Sequence, residues 1–239
     1  MSDDVRDAAT VIVAREAPDG LLVFMVRRGA SAVFLPDRYV FPGGAVDAQD
    51  RDLAESRLVG SAGAVEPAYA LTAARETFEE VGLLFADRPV AARDLLAARA
   101  EVLAQRLDFA GALDRLGVRV DASQLRYFSR WITPKAEIAS RRFDARFFVA
   151  RCPAEQIAEA DAAEVHDGRW FRPEDALAAH ARGEIGLIFP TIKHLERIAA
   201  YRTVDELIAF AESKNVAVVM PHVDADQRFS FPDGLEDAW

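Results

Sequence analysis

The sequence predicts an α+β fold in a single domain spanning 1–239, and three observations lead there. The chain has 239 residues, of which 51% are apolar and 28% charged, enough apolar surface for a sizeable core and far from a disordered or disulfide-scaffold composition. Strand-like runs at both the start and the middle of the chain alternate with helical patterns. No repeat, low-complexity tract or linker divides it.

Taken in order, Ala8–Val13 and Leu21–Val26 read as strands joined through Pro18-Asp19-Gly20, a hairpin turn. Tyr39-Val40-Phe41 is a short apolar run that stops at Pro42-Gly43-Gly44, read as a loop. Asp50–Val59 reads as a short helix. A stronger helix follows Pro67 and runs to Val81, where Gly82 supplies the left-handed stop; Leu83-Leu84-Phe85 then reads as a strand. Residues 91–116, rich in Ala, Leu, Glu and Arg, form one or two helices. Strands are expected at Leu125–Ile132, Phe143–Ala150 and Val165–Phe171, and helices at Pro173–Ala181, Thr191–Ala200 and Val204–Ala211.

Charge and cysteine usage narrow the function. The formal net charge is −10, opposite to the basic face a nucleic-acid binder needs, so nucleic acid is not an expected partner. No window approaches the ~18 apolar residues of a membrane span, and the acidic N-terminus is unlike a targeting peptide. Cys152 is the single cysteine, which leaves no internal disulfide and suits a reducing compartment. With only Arg151 and Pro153 beside it, it should be inert.

Chemistry concentrates in RETFEEVGLL, residues 75–84. At about 100° per residue, Glu79 and Glu80 fall about 60° and 40° to either side of Glu76, while Leu71, Ala74, Phe78 and Val81 centre on the opposite face. Like charges at i,i+3 and i,i+4 destabilise an exposed helix by roughly 0.2–0.5 kcal/mol each, and anions near its C-terminus oppose the dipole. A solvated acidic face is the ordinary reading; a hard divalent cation, Mg²⁺ or Mn²⁺, that takes carboxylate oxygens is the other.

With FPGG at 41–44, this segment resembles the signature of the Nudix hydrolases, GX5EX7REUXEEXGU with U apolar. Gly44 opens the motif, and Arg75, Glu76, Glu79, Glu80, Gly82 and Leu83 match its second half; Thr77 stands where the family is apolar. Asp50 stands where the first acid belongs, and 24 residues rather than seven precede Arg75, an insertion at about 51–67 expected to weaken the tie between this acid and the arginine. The runs at 25–44, 130–150 and 189–199 resemble the branch of the animal peroxisomal coenzyme A diphosphatases. The separate signature of other coenzyme A Nudix enzymes is absent, Val33 and Asp37 standing at its positions.

The resemblance implies an α/β/α sandwich, a mixed sheet between helices, with a helical insert near 87–124 and a helical C-terminal extension at 186–239. It implies Mg²⁺ held by Glu76 and Glu80, with Glu79 as a further ligand or base, Gly43 as a backbone ligand, and Arg75 orienting Glu79. Glu164 is the expected general base, with Glu137 and Asp144 as alternatives; His166 reads as a structural or surface histidine. Arg27, Arg28 and Arg38, with Gly44 and Arg142 (and Arg141 and Arg146 beside it), are candidates for holding a phosphorylated nucleotide. Phe147 and Phe148 read as core, and Trp131 reads as core ahead of a platform for a stacked base. The implied activity is hydrolysis of coenzyme A or acyl-coenzyme A to 3′,5′-ADP and a 4′-phosphopantetheine; another nucleoside diphosphate derivative, or a non-catalytic ligand-binding module, are the alternatives. The ending Glu236-Asp237-Ala238-Trp239 lacks a Ser-Lys-Leu address, so a cytoplasmic location is expected, and dimers among relatives leave a homodimer open.

Overall fold

Residues 5–29, 37–135, 141–161, 165–235 and 239 are described in the computed structural model. The first strand, β1 (Val5–Ala17), dictates the layering. Its Ala9, Val11 and Val13 enter one buried cluster, whereas Ile12 and Ala14 enter another. Since successive side chains on a strand point to opposite faces, β1 must be covered on both sides. The same division recurs in β2 (Gly20–Arg28), with Phe24 and Val26 on one face and Val23 and Met25 on the other.

Further strands are β3 (Arg38–Val40), β4 (Gly43–Ala45), β5 (Leu58–Val59), β6 (Val120–Asp121), β7 (Arg126–Ile132), β8 (Arg142–Arg151), β9 (Val165–Phe171), β10 (Gly186–Leu187), β11 (Val218–Val219), β12 (His222–Val223) and β13 (Phe229–Ser230). The main sheet runs β10-β3-β2-β1-β8-β7-β11, with β4 paired to β1 and β9 to β2. It is mixed: β1 and β8, β3 and β10, and β7 and β11 are parallel, the others antiparallel. Helices α1 (Ala48–Arg57), α2 (Pro67–Val81), α3 (Ala92–Leu103) and α4 (Phe109–Leu116) feed the first cluster; α5 (Pro173–Ala181), α6 (Phe189–Ile198) and α7 (Val204–Ser213) feed the second. The expected α/β/α sandwich is what forms.

Helix α2 begins at Pro67 and ends at Gly82, whose φ of 74° and N–H bond to the Phe78 carbonyl close the last turn. Leu71, Ala74, Phe78 and Val81 are all buried, and each large apolar side chain among them stabilises the fold by roughly 1.5–3 kcal/mol.

Two local expectations are corrected. Gly43–Ala45 is not a loop but a short strand against Ala8–Thr10 of β1. Glycine is required there: Gly43 has φ of +155°, and a methyl on it would overlap the backbone of Ala9 and Thr10. Conversely, Leu83-Leu84-Phe85 is buried but not a strand. The Gln156 side-chain amide takes the place of a neighbouring strand, accepting from Leu84 N at 2.9 Å and donating to Leu84 O at 3.0 Å.

Candidate active site

Arg75 is the hub. Its Nε and Nη2 donate to the two oxygens of Asp50 at 3.0 and 2.8 Å, its Nη2 also to the Ala45 carbonyl at 3.1 Å, and its Nη1 to Glu76 at 2.8 Å. Asp50 accepts in addition from Thr72 Oγ1 and from Asp47 N, the latter as half of a capping box at the start of α1. Burial alone would raise the Asp50 pKa; the hydrogen bonds and charge of Arg75 overturn this and hold it below the usual carboxylate range. Burial likewise works against the Arg75 charge, and Asp50, Glu76 and Glu79 more than restore it.

The expected weakening of Asp50 by the insertion is therefore overturned. The inserted residues extend α1 beyond Asp50 and make an excursion through β5, which pairs with β6. The chain then returns at Pro67, so the meeting of Asp50 with Arg75 is untouched. Ion pairs of Arg51 with Asp7 and Glu66, and of Arg57 with Asp114, tie the excursion down. Arg75 also approaches Glu76 more closely than Glu79, whose contact is 3.5 Å.

Glu80 is 7% exposed and accepts from the Gly43 backbone N–H at 3.0 Å. Gly44 lies so close to Glu76 that a methyl there would overlap its carboxylate. The glycine pair thus lets β4 press directly on two of the three glutamates. Glu76 and Glu80 border a cavity of about 940 Å³; Glu79 borders a second one of about 680 Å³, shared with Asp50 and Arg75. Among the described residues no three acids, histidines or cysteines converge as a metal cluster. Two carboxylates and a backbone carbonyl nonetheless suit Mg²⁺, which takes one or two carboxylates and fills its octahedron with water and substrate phosphate.

Of the candidate arginines, Arg28 and Arg38 border the larger cavity, as does Arg141, whereas Arg27 and Arg142 do not. Arg142 donates to the Thr133 carbonyl at 3.0 Å. Arg146 is held by Asp7 and Asp144 over the Tyr69 ring. Trp131 is buried at 3% exposure as expected, yet it also forms part of the cavity wall. Asp144 accepts from Arg130 Nε and Nη2 at 2.9 and 2.6 Å and stands away from the cavity lining. Glu137 and Glu164 lie outside the described residues, as does Val33, and the His166 side chain is not described. Burial raises the Cys152 thiol pKa, in keeping with an inert residue.

Comparison with known proteins identifies this frame. The sequence profile of the NUDT19 Nudix domain matches residues 52–198, more than half of the chain. The chain belongs to the Nudix family. The crystal structure of a NUDIX hydrolase from Alicyclobacillus acidocaldarius superposes with a TM-score of 0.72 and 29% identity, covering 87% of this chain and 97% of that one. The acyl-coenzyme A diphosphatase NUDT19 of Gallus gallus is 26% identical, over 87% of this chain and 72% of its own length. Its Homo sapiens counterpart is 24% identical, over 80% of this chain and 64% of its own length. The chain spans between 62% and 72% of the length of four curated relatives that it matches. No helix among the described residues is long and apolar enough to cross a membrane.

Sequence reasoning missed two buried polar residues, Arg99 beneath the Nudix helix and His194 in the second cluster. Arg99, buried on α3, donates through Nε and Nη2 to the Glu79 carbonyl and through Nη2 to that of Glu80. It places a cation at the negative end of α2 and offsets the dipole that opposes the glutamates. Nothing in its Ala- and Leu-rich surroundings distinguishes it from a surface arginine. His194 is fully buried between the Pro190 carbonyl at 2.6 Å and Ser129 Oγ at 2.7 Å, stacked on Phe147.

Proposed function

We propose that this chain is a Mg²⁺-dependent diphosphatase that hydrolyses coenzyme A or acyl-coenzyme A to 3′,5′-ADP and (acyl-)4′-phosphopantetheine. The observation that carries the reading is the juxtaposition at β4: Glu76 and Glu80, held by Arg75 and the glycine pair, open onto one large cavity that also presents arginines and an aromatic wall. The names of the NUDT19 relatives support the substrate class.

In this reading Glu76, Glu80 and the Gly43 carbonyl would hold the ion. When bound, a divalent cation offsets diphosphate charge and acidifies water. The protein's own part is positional. Arg75, fixed by Asp50, keeps Glu76 from turning away; Gly43 N–H fixes Glu80; Arg28 and Arg38 supply donors for the phosphates of the nucleotide half. Glu79, which borders the second cavity beside Arg75, is a further ligand or a proton acceptor in the same proposal. Water adds to one phosphorus, the bridging P–O bond breaks, and each product leaves as a phosphomonoester. Since Arg130 and Arg146 occupy Asp144, the general base is assigned to Glu164, with Glu137 as the control substitution. The lone thiol agrees with a reducing, cytoplasmic setting, which belongs to the same proposal.

The test is a substrate panel with Mg²⁺ or Mn²⁺, products identified by mass. Expected are 3′,5′-ADP from coenzyme A esters and loss of turnover in Glu80→Gln with an unchanged fold. AMP from NADH with coenzyme A untouched would overturn the substrate. Inactivity on every diphosphate would overturn the enzyme reading in favour of a ligand-binding module.

A further inference from the structure

Strand register lays a straight track from the glutamates to an aromatic cluster. Ala45 of β4 stands opposite Ala8 of β1, Ala8 opposite Ala145 of β8, and Ala145 opposite Trp131 of β7. Three strand spacings separate the ends, roughly 14 Å. All four residues border the larger cavity, so a floor of methyl groups runs from the Gly44–Glu76 contact to the Trp131 indole.

The far end is built by segments remote from the Nudix motif. Trp131 meets Phe189, which stacks on Phe229 at a centroid distance of 5.9 Å, and Phe189, Phe229 and Pro221 all face the same cavity. Trp131 also packs edge-on against Trp239 and Phe231, which anchor the C-terminal segment. The cations of the cavity enter elsewhere: Arg6 from β1, Arg28 and Arg38 from β2 and β3, and Arg141 from the approach to β8. Trp131 Nε1 has no hydrogen-bond partner among the described residues, although a buried indole N–H ordinarily finds one.

We propose that this aromatic end is the site for the apolar, acylated arm of the substrate, with the C-terminal segment as its wall and Phe229 as its specificity-determining residue. The assignment of arms rests on the diphosphatase reading above: the lining arginines take the phosphorylated nucleotide, and the aromatic end, with Lys193 over the outer Phe189 ring, is left for the chain carried by the other phosphate.

The experiment measures binding without turnover. The full-length protein in EDTA is titrated with a series of n-alkyl monophosphates, followed by tryptophan fluorescence, to which Trp131, Trp170 and Trp239 contribute. Expected is a Kd that falls about fourfold with each added methylene until the wall is filled. In Phe229→Ala that dependence drops below about twofold per methylene, and Phe229→Leu, which keeps an apolar wall, restores most of it. A Kd independent of chain length, or a dependence untouched by Phe229→Ala, overturns the proposal. The substrate panel separates the two readings. Coenzyme A turnover without chain-length dependence leaves the diphosphatase standing and removes the acyl site. Chain-length dependence without turnover of any diphosphate does the reverse.

Discussion

Replacing Asp50 with alanine removes the acceptor on which Arg75 is built. The side chains of Asp50 and Arg75 are 4% and 13% exposed and meet at 2.8 Å, so the guanidinium would stay buried with its principal partner gone. Breaking a buried pair from one side costs about 3–5 kcal/mol. Arg75 keeps Glu76 and the Ala45 carbonyl, and Thr72 keeps the Ala68 carbonyl, which places the loss near the lower end, about 3 kcal/mol. For a domain of this size each kcal/mol shifts Tm by about 2–4 °C, so thermal unfolding should move down by roughly 6–12 °C. The pH dependence carries a sign. The folded-state pKa of Asp50 is depressed, below an unfolded value of about 3.9. Its contribution is therefore complete above about pH 4 and is lost as pH falls through the lower folded value. The gap between wild type and Asp50→Ala, followed by urea unfolding, should be constant from neutrality to about pH 5 and close below pH 4. Had the insertion carried Asp50 away from Arg75, the substitution would be a surface change worth within about 0.5 kcal/mol. A Tm within about 2 °C of wild type would refute the pairing.

Further substitutions separate scaffold from site. A methyl at Gly43 meets backbone, whereas one at Gly44 meets only the movable end of Glu76; Gly43→Ala should lower Tm strongly, while Gly44→Ala should leave Tm nearly unchanged and weaken Mg²⁺ binding about tenfold by isothermal titration. Arg99→Met removes donors from the last carbonyls of α2 and should cost about 2 kcal/mol, read as a lower urea midpoint at unchanged m-value. Burial, the largest influence on His194, pushes its pKa down to about 3. The unfolded chain thus binds a proton that the folded chain refuses between about pH 6.5 and 3, and stability falls with acid across that window by up to about 1.4 kcal/mol per pH unit. His194→Gln should flatten that slope in urea titrations at successive pH values.

Much of the fold was legible because the signals were local. Pro67 and Gly82 mark the ends of α2, and the stripe of Leu71, Ala74, Phe78 and Val81 marks its buried face; strands β7, β8 and β9 lie within two residues of their expected limits at either end. The failures have a common origin in partners distant in sequence. Leu83–Phe85 has strand composition, but an amide 72 residues away meets its backbone. Gly43–Ala45 looks like a loop because its glycines are punctuators in isolation, and only the proximity of β1 turns them into a strand. Arg99 and His194 are single polar residues in apolar runs, and no spacing rule links them to what they hold.

The site divides in the same way. One turn of helix sets Glu76, Glu79 and Glu80 within about 100° of arc, which a sequence shows, but not which of them meets which cavity. That division is made by a single guanidinium and two glycines: Arg75 lies within 4 Å of Asp47, Asp50, Glu76 and Glu79, while Gly43 and Gly44 bring β4 onto Glu76 and Glu80. Glu76 and Glu80 are the carboxylates that border the larger cavity, which also presents arginines. A ligand that joins a phosphate to a divalent cation complements both charges at once, and neither component alone does. On this ground Mg²⁺ and a phosphorylated ligand should bind with positive coupling. An alkyl phosphate should tighten Mg²⁺ binding, and Mg²⁺ should tighten that alkyl phosphate by an equal factor in titrations run in either order. Equal affinities with and without the partner would show that the glutamates and the cavity act as separate sites.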